Sequence, residues 1–393
     1  GRVDPANALV PFGRFDTVHF ARLLVLEDET LGDLEAYGAA FDAPVYLLFL
    51  GDCDGPAETM LDALAREAEA GLRRIFAHCQ GFSPGADLRR WMDAHAVRPA
   101  TAYVNWIGRT VRQVREEAAL HDTLSARREP GAAGESARAA RERLKAAVLA
   151  ESPAPTPLPA TPLRWRLADA ADAVGGVLVL LIAAPLLAVY APVFLAILRS
   201  RETRDPVIAP PADLAKMRAI GAADDHDVSN AFSAVGSLKP GWFRLSTVSF
   251  ILWFLNWANR HIFRRGRLAR VGTIHFARWV FLDGKRRMVF ASNYDGALDS
   301  YMDDFINKAG YGLNLVFSNG AGYPRTRFLV LDGAQDEQAF KFFLRRHQLP
   351  TDVWYKAYPG LTAFDLARNA EIRRGFERRS MTDGEAARWL ALI

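Results

Sequence analysis

The stretch that decides the fold occurs twice. Val18-His19-Phe20-Ala21-Arg22-Leu23-Leu24-Val25-Leu26 returns 256 positions later as Ile274-His275-Phe276-Ala277-Arg278-Trp279-Val280-Phe281-Leu282. Downstream, Asp54-Gly55, Gly71-Leu72 and Gly81-Phe82 recur at an offset of 241 as Asp295-Gly296, Gly312-Leu313 and Gly322-Tyr323. At an offset of 252, His95, Tyr103, Gly108 and Thr110 recur as His347, Tyr355, Gly360 and Thr362. Register held over stretches this long marks an internal duplication.

The second copy reads most clearly. His275 to Leu282 has strand-like alternation, Asp283-Gly284 is a turn signal, and Met288 to Ser292 is a second strand. Residues 298, 301, 302, 305, 306 and 309 are spaced as one helical face. Leu313 to Ser318 is expected to be a strand and Glu337 to His347 a helix ending near Pro350. Val353 to Tyr358 then reads as a strand and Ala363 to Phe376 as a closing helix. This alternation predicts an α+β fold built from two tandem ferredoxin-like modules, residues 14–124 and 271–378. One module leaves a sheet face open. Two are expected to pack as an internal pseudo-dimer of the dimeric α+β barrel type, with 379–393 as a C-terminal tail.

Between the copies, residues 125–165 hold a charged, Ala-rich helix (Ser136 to Glu151). A stiff linker follows, with Pro153, Pro155, Pro157, Pro159 and Pro162. Residues 166–270 read as a membrane-associated connector. Ala173 to Leu198 carries no charge over 26 residues, about 39 Å as a helix against a hydrocarbon core of about 30 Å. Pro185 and Pro192 favour a broken, re-entrant hairpin over a straight crossing. Residues 245–263 are expected to form an interfacial amphipathic helix. Val248, Ile251, Leu252 and Leu255 lie on one face, and Trp242, Trp253 and Trp257 suit the headgroup level. The two copies can pack together only if they share one side of the membrane. The expected topology is therefore either re-entrant or two-span.

Composition narrows the classes. The chain has 393 residues, mean hydropathy −0.03, 24% charged residues and two cysteines, which excludes a disulfide scaffold and a polytopic channel. Net charge is only +4, yet 239–270 carries seven Lys or Arg and no acidic residue. Its Arg260, Arg264, Arg265 and Arg267 follow the Trp-rich segment. Anionic membrane lipid accounts for both features and nucleic acid for only one, so lipid is the expected partner and nucleic acid is not. The expected location is the cytoplasmic face of a bacterial inner membrane. Gly1 reads as an internal or processed start.

Chemistry-bearing residues gather near the strand ends. Asp54-Gly55 and Asp295-Gly296 read first as turn and helix-cap residues. His19 and His275 are candidate cofactor ligands or sheet-end packing residues. Arg278 lies three residues beyond His275, so the two share a pocket only if the strand bulges. Asp52, Cys53, Asp54, His78 and Cys79 could bind a metal or do redox chemistry, although the cysteines lack C-x-x-C spacing. His226 and Asp227, in an acidic loop, are further metal-ligand candidates, and a capping loop is the competing reading. Tyr323-Pro324-Arg325-Thr326 adds a cationic group suited to an acidic headgroup. Kinase, lipase, zincin and Rossmann motifs do not occur.

His275-Phe276-Ala277-Arg278-Trp279-Val280, Ser292-Asn293-Tyr294-Asp295-Gly296 and Tyr323-Pro324-Arg325-Thr326 resemble an uncharacterised bacterial membrane-associated family over roughly 224–376. The module order is similar to that of the dye-decolourising peroxidase and chlorite dismutase superfamily. Its G-x-x-D-G motif is matched at Gly51-Asp52-Cys53-Asp54-Gly55, while the second copy has Ser292 at the first position. The resemblance implies a haem-dependent, peroxidase-like oxidoreductase acting on an apolar or lipid substrate. His275 would be the axial ligand and Arg325 a cofactor contact, with Asp295, Arg278 and Asn293 as catalytic polar groups. The alternative is a non-catalytic lipid-binding or lipid-handling membrane protein.

Overall fold

The computed structural model describes residues 9–128, 134–151, 153–210, 213–223, 227–263, 268 and 271–393. The first copy starts with a hairpin of β1 (Val18–Leu26) and β2 (Tyr46–Cys53). Three helices follow: α1 (Ala57–Glu67), α2 (Glu69–Phe76) and α3 (Leu88–Ala94). The copy closes with a short strand, β3 (Thr101–Val104), and helix α4 (Val111–Ala126). The connector holds α5 (Ala137–Glu151), α6 (Leu163–Arg204), α7 (Leu214–Ala223), β4 (Ser229–Ser237) and α8 (Trp242–His261). The second copy repeats the plan. Hairpin β5 (Ile274–Leu282) and β6 (Arg287–Asp295) leads into α9 (Leu298–Phe317) and the short pair β7 (Thr326–Arg327) and β8 (Leu331–Asp332). Then come α10 (Glu337–His347), β9 (Val353–Lys356), α11 (Ala363–Glu377) and α12 (Asp383–Leu390).

The copies exchange strands. One antiparallel sheet has the order β2-β1-β9 and the other β3-β5-β6-β4. The last strand of each copy therefore pairs with the first strand of the other, Tyr103 opposite Ala277 and Tyr355 opposite Ala21. Matching backbone bonds continue both pairings, Asn105 N–H to the His275 carbonyl at 3.0 Å and Ala357 N–H to the His19 carbonyl at 2.9 Å. The sheets meet through Leu24, Leu26, Val235, Val280 and Val289. Helices α4 and α11 are related by the same pseudo-symmetry and share a core of Leu120, Leu124, Ile372 and Phe376 with α5 and α12. Both begin at a threonine cap, Thr110 accepting from Gln113 N–H and Thr362 from Asp365 N–H.

Three expectations are corrected. Leu313 to Ser318 is not a strand: Leu313, Val316 and Phe317 continue the buried face begun by Leu298, Tyr301, Met302 and Phe305, so the apolar run is the last turns of α9. The chain is mixed α+β, but each copy lacks the strand that a ferredoxin-like crossover requires. The run 173–198 is not a re-entrant hairpin either. It lies inside one continuous 42-residue helix, α6, which includes Pro185 and Pro192.

Candidate functional site

The duplicated histidines sit at duplicated irregularities. Strand β1 shifts register between Val18 and Phe20, and β5 between Ile274 and Phe276. Each bulge lets a histidine turn toward the end of its hairpin. His19 Nε2 lies 2.9 Å from Asp54 Oδ1, and His275 Nε2 lies 2.7 Å from Asp295 Oδ1. The second carboxylate oxygen is used in the same way in both copies. Asp54 Oδ2 accepts from Val111 N–H at 3.0 Å, and Asp295 Oδ2 from Ala363 N–H at 2.7 Å. Those amides open α4 and α11, where free N–H groups and the helix dipole favour an anion. The two aspartates thus cap helices 57 and 68 residues downstream, and not the adjacent helices α1 and α9. Each dyad joins a hairpin end to a helix start.

A cavity of about 270 Å³ opens between the dyads, lined by His19, His275, Asp54, Trp106, Arg109 and Tyr358. Tyr358 Oη lies 3.0 Å from His19 Nδ1. Burial raises the Tyr358 pKa far above the ordinary phenol value, so its hydroxyl stays protonated and can donate to Nδ1. That leaves Nε2 as the nitrogen that carries the proton toward Asp54. Burial lowers the Arg109 pKa, which Glu117 opposes through a buried ion pair. The Cys53 thiol is pushed up to about 11 by burial and then by Asp54 and Glu58, so it is a poor nucleophile.

Arg278 and Asn293 belong to a separate cluster between the sheets. Arg278 donates to Asp52 and, at 3.1 Å, to the Gly51 carbonyl. Its symmetry mate Arg22 donates to Asn293, to the Phe232 and Ser292 carbonyls at 2.8 Å each, and to Ser233. Asn293 Nδ2 donates to Asp52 Oδ2 at 2.8 Å, closing a chain across the pseudo-axis. The expected grouping of His275, Asp295, Arg278 and Asn293 therefore splits in two. His275 lines the cavity with Asp295 bound to its Nε2, and the other two pin one sheet to the other. Arg325 lies elsewhere, donating through Nε to the Asp205 carbonyl at 2.8 Å.

The cavity beside His275 measures about 270 Å³, below the roughly 300–1,000 Å³ that ligands of drug size occupy, and Arg325, the expected cofactor contact, does not line it. Asp227 pairs with Lys356 at 2.5 Å and accepts from Gly360 N–H, tying the start of β4 to β9. His226, its expected partner, lies outside the described residues. Among the described residues no group of three or more His, Cys, Asp or Glu can hold a metal ion.

The expected membrane face is partly inverted. Val248, Ile251, Leu252 and Leu255 do form one face of α8, but it packs on the second sheet with Leu238, Met288 and Val316. The other side shows Trp242 and Trp253 to solvent. Trp257 instead lies under α6, where Gly176 permits the approach: a Cβ on Gly176 would meet Trp257 Nε1 at 2.1 Å. Arg260 binds Asp169 of α6 at 3.1 Å. Arg264, Arg265 and Arg267 lie outside the described residues.

Helix α6 runs antiparallel along α8. One end is tied by Asp169 to Arg260 and by Asp172 to His261 at 2.7 Å. At the other end Phe194 meets Phe243, and Glu202 accepts from Thr326, Phe328 and Leu329. Between them is a window long and apolar enough to cross a membrane, none of it buried. Ile182, Leu186 and Val189 are 74%, 74% and 81% exposed. No protein family, curated protein or solved structure matches the chain.

Sequence reasoning missed Tyr358 and the remote capping by Asp54 and Asp295. The available signal was the threonine that recurs downstream of each Asp-Gly pair, Thr110 and Thr362, since a threonine cap in both copies marks the helix start that each aspartate reaches.

Proposed function

We propose that this chain is a lipid-handling protein docked on one membrane leaflet, with the intertwined copies as its rigid body and α6 as its lipid-facing surface. The observation that carries this reading is the bare apolar side of α6 between two ends tied to the same folded body. A spanning helix separates its ends by a hydrocarbon core of about 30 Å. Here Arg260 and Thr326 hold both ends of α6, and α8, itself packed on the sheet, lies alongside. A helix held so lies along the body and offers one side to lipid, with Trp242 and Trp253 at the rim. Such a contiguous apolar surface is unusual on a soluble monomer. The cations Arg199, Arg201 and Arg204 at its end favour an anionic leaflet, as on the cytoplasmic side. The dyads read as structural joints, because each histidine is buried and each carboxylate is committed on both oxygens. The oxidoreductase expectation finds no support in this arrangement.

Flotation with phosphatidylcholine vesicles tests the reading. The full chain is expected to float, and an Ile182→Glu/Leu186→Glu/Val189→Glu variant to stay at the bottom while keeping its circular dichroism. Equal flotation of both proteins, or a wild-type chain that stays soluble without lipid or detergent, overturns it.

A further inference from the structure

A second constellation lies where α6 ends and α8 begins. There an open cleft of about 760 Å³ is lined by Arg201, Arg204, Asp205, Lys239 and Arg244, with Ile197 at its apolar side. Asp205 is the one carboxylate. It takes Lys239 Nζ at 2.6 Å and Arg244 Nη2 at 2.7 Å. Lys239 and Arg244 are only 4% and 2% exposed, so two buried cations share one negative charge. Burial pushes the Lys239 ammonium down to about 8, with Asp205 opposing and Arg244 adding to the shift. Arg244 Nη1 is buried and has no hydrogen-bond partner. A buried guanidinium N–H without an acceptor is costly and is ordinarily satisfied.

Two further cations stand at the rim. Arg201 lies over the Phe243 ring at 5.2 Å, and its Nη1 is 3.6 Å from where a Gly241 side-chain carbon would stand. Arg201 and Arg204 have no carboxylate partner among the described residues. Gly241 starts the 20-residue α8 with no side-chain cap, so the first amides of that helix add to the positive field. Four cations line the cleft with one carboxylate, and Glu202 behind it is committed to Thr326, Phe328 and Leu329, so the cleft is electropositive. The bare surface of α6 runs directly into it through Ile197 and Phe194.

We propose that this cleft binds the phosphate of an anionic lipid headgroup, with Arg244, Arg201 and Arg204 as its ligands and the acyl chains lying along α6. The proposal rests on the docked-membrane reading and adds the lipid class to it. The opposing charge of Asp205 holds Lys239 and Arg244 in place and leaves the unpartnered Nη1 of Arg244 for phosphate, which Arg201 and Arg204 would join from the rim.

The test uses the full chain and two vesicle compositions, phosphatidylcholine alone and phosphatidylcholine with phosphatidic acid, at fixed salt. The wild-type chain is expected to bind the acidic vesicles more tightly. Arg201→Gln/Arg204→Gln, which leaves the buried Lys239, Arg244 and Asp205 untouched, is expected to lose about 30-fold of that preference and none of its binding to neutral vesicles. Arg244→Lys, which keeps the charge and loses the fork, is expected to lose part of it. An unchanged preference in both variants overturns the headgroup site while leaving the docking reading intact. Failure of the wild type on neutral vesicles strikes the docking reading, and the acidic vesicles then decide the cleft on their own. Inorganic phosphate separates the sources: if it raises the melting temperature of the wild type and not of the variant while vesicles show no preference, the cleft takes free phosphate and the lipid assignment falls.

Discussion

The two copies keep one joint and differ at another. Both hold a bulged histidine against an aspartate that caps the helix after the exchanged strand. At the pseudo-axis the match breaks, because Asp52 of the first copy stands opposite Asn293 of the second. The contact itself supplies the reason. A residue on the axis meets its own counterpart, and two carboxylates 2.8 Å apart would repel. Asparagine donates where a second aspartate could not, and one carboxylate then serves the network of Arg22 and Arg278. A duplicated chain can repeat every feature off its axis, whereas a polar contact on the axis favours two different residues.

The largest effect that can break this comparison is expected at the joints. Asp295→Ala removes the acceptor of both His275 and the Ala363 amide in a site where Asp295 and His275 side chains are 9% and 2% exposed. Loss of one partner of a buried pair costs about 3–5 kcal/mol. Asp54→Ala is expected to cost less, because its pair is more exposed, at 16% and 6%, and His19 keeps Tyr358. Urea denaturation of both variants gives the ranking, and a reversed order would refute burial as the source of the difference.

A second pair sharpens the comparison through pH. His95 and His347 each place Nδ1 2.8 Å from the carbonyl four residues back, at Trp91 and Phe343. The surroundings differ, since His95 is exposed and His347 is 4% exposed against Gly236. Burial pushes the His347 pKa down to about 4; Arg346 lowers it further, and the Phe343 carbonyl, Asp28 and Asp33 oppose. The unfolded chain therefore takes up this proton near pH 6.5, and the folded chain does so only near 4. Stability from this group is complete above 6.5 and is lost as pH falls from 6.5 to 4, by about 3 kcal/mol in all. His347→Gln is expected to flatten the stability profile in that window, with His95→Gln as the matched control. A slope that survives His347→Gln refutes the assignment.

The smallest effect is expected from making the axis symmetric. Asn293→Asp sets a second carboxylate against Asp52, with Arg22 and Arg278 compensating in part. A cost of about 1–2 kcal/mol at pH 7 follows if the contact raises one carboxyl pKa by about one unit. A raised folded-state pKa destabilises above that pKa, so the deficit is expected to shrink as pH falls into the carboxyl range. Thermal melts at pH 7 and pH 5 check it, and a variant as stable as the wild type at pH 7 would show that the axis tolerates both charges.

Much of this architecture is legible in the chain. The repeated His-Phe-Ala-Arg strand, the Asp283-Gly284 turn and the spacing in 298–309 are local signals, and the hairpins and α9 follow from them. The apolar run 173–198 is equally plain. Leu313 to Ser318 reads as a strand in isolation because five apolar or small residues fit a strand as well as the end of a helix, and only the continued face from Leu298 separates the two. The inner face of α8 reads as lipid-facing for a related reason. Val248, Ile251, Leu252 and Leu255 make the same stripe whether a membrane or a sheet covers it.

The sequence by itself determined the duplication, the hairpin that opens the second copy with the start of the helix after it, and the presence of one segment too apolar for an ordinary surface. These depend on periodicity and on contacts within a few residues. Only the tertiary structure decided that the copies exchange their last strands, that Asp54 and Asp295 cap distant helices, and that α6 stays unbroken with both ends on one body. Each of those depends on groups dozens to hundreds of residues apart, which come together only when packing offsets the entropy of closing the intervening chain.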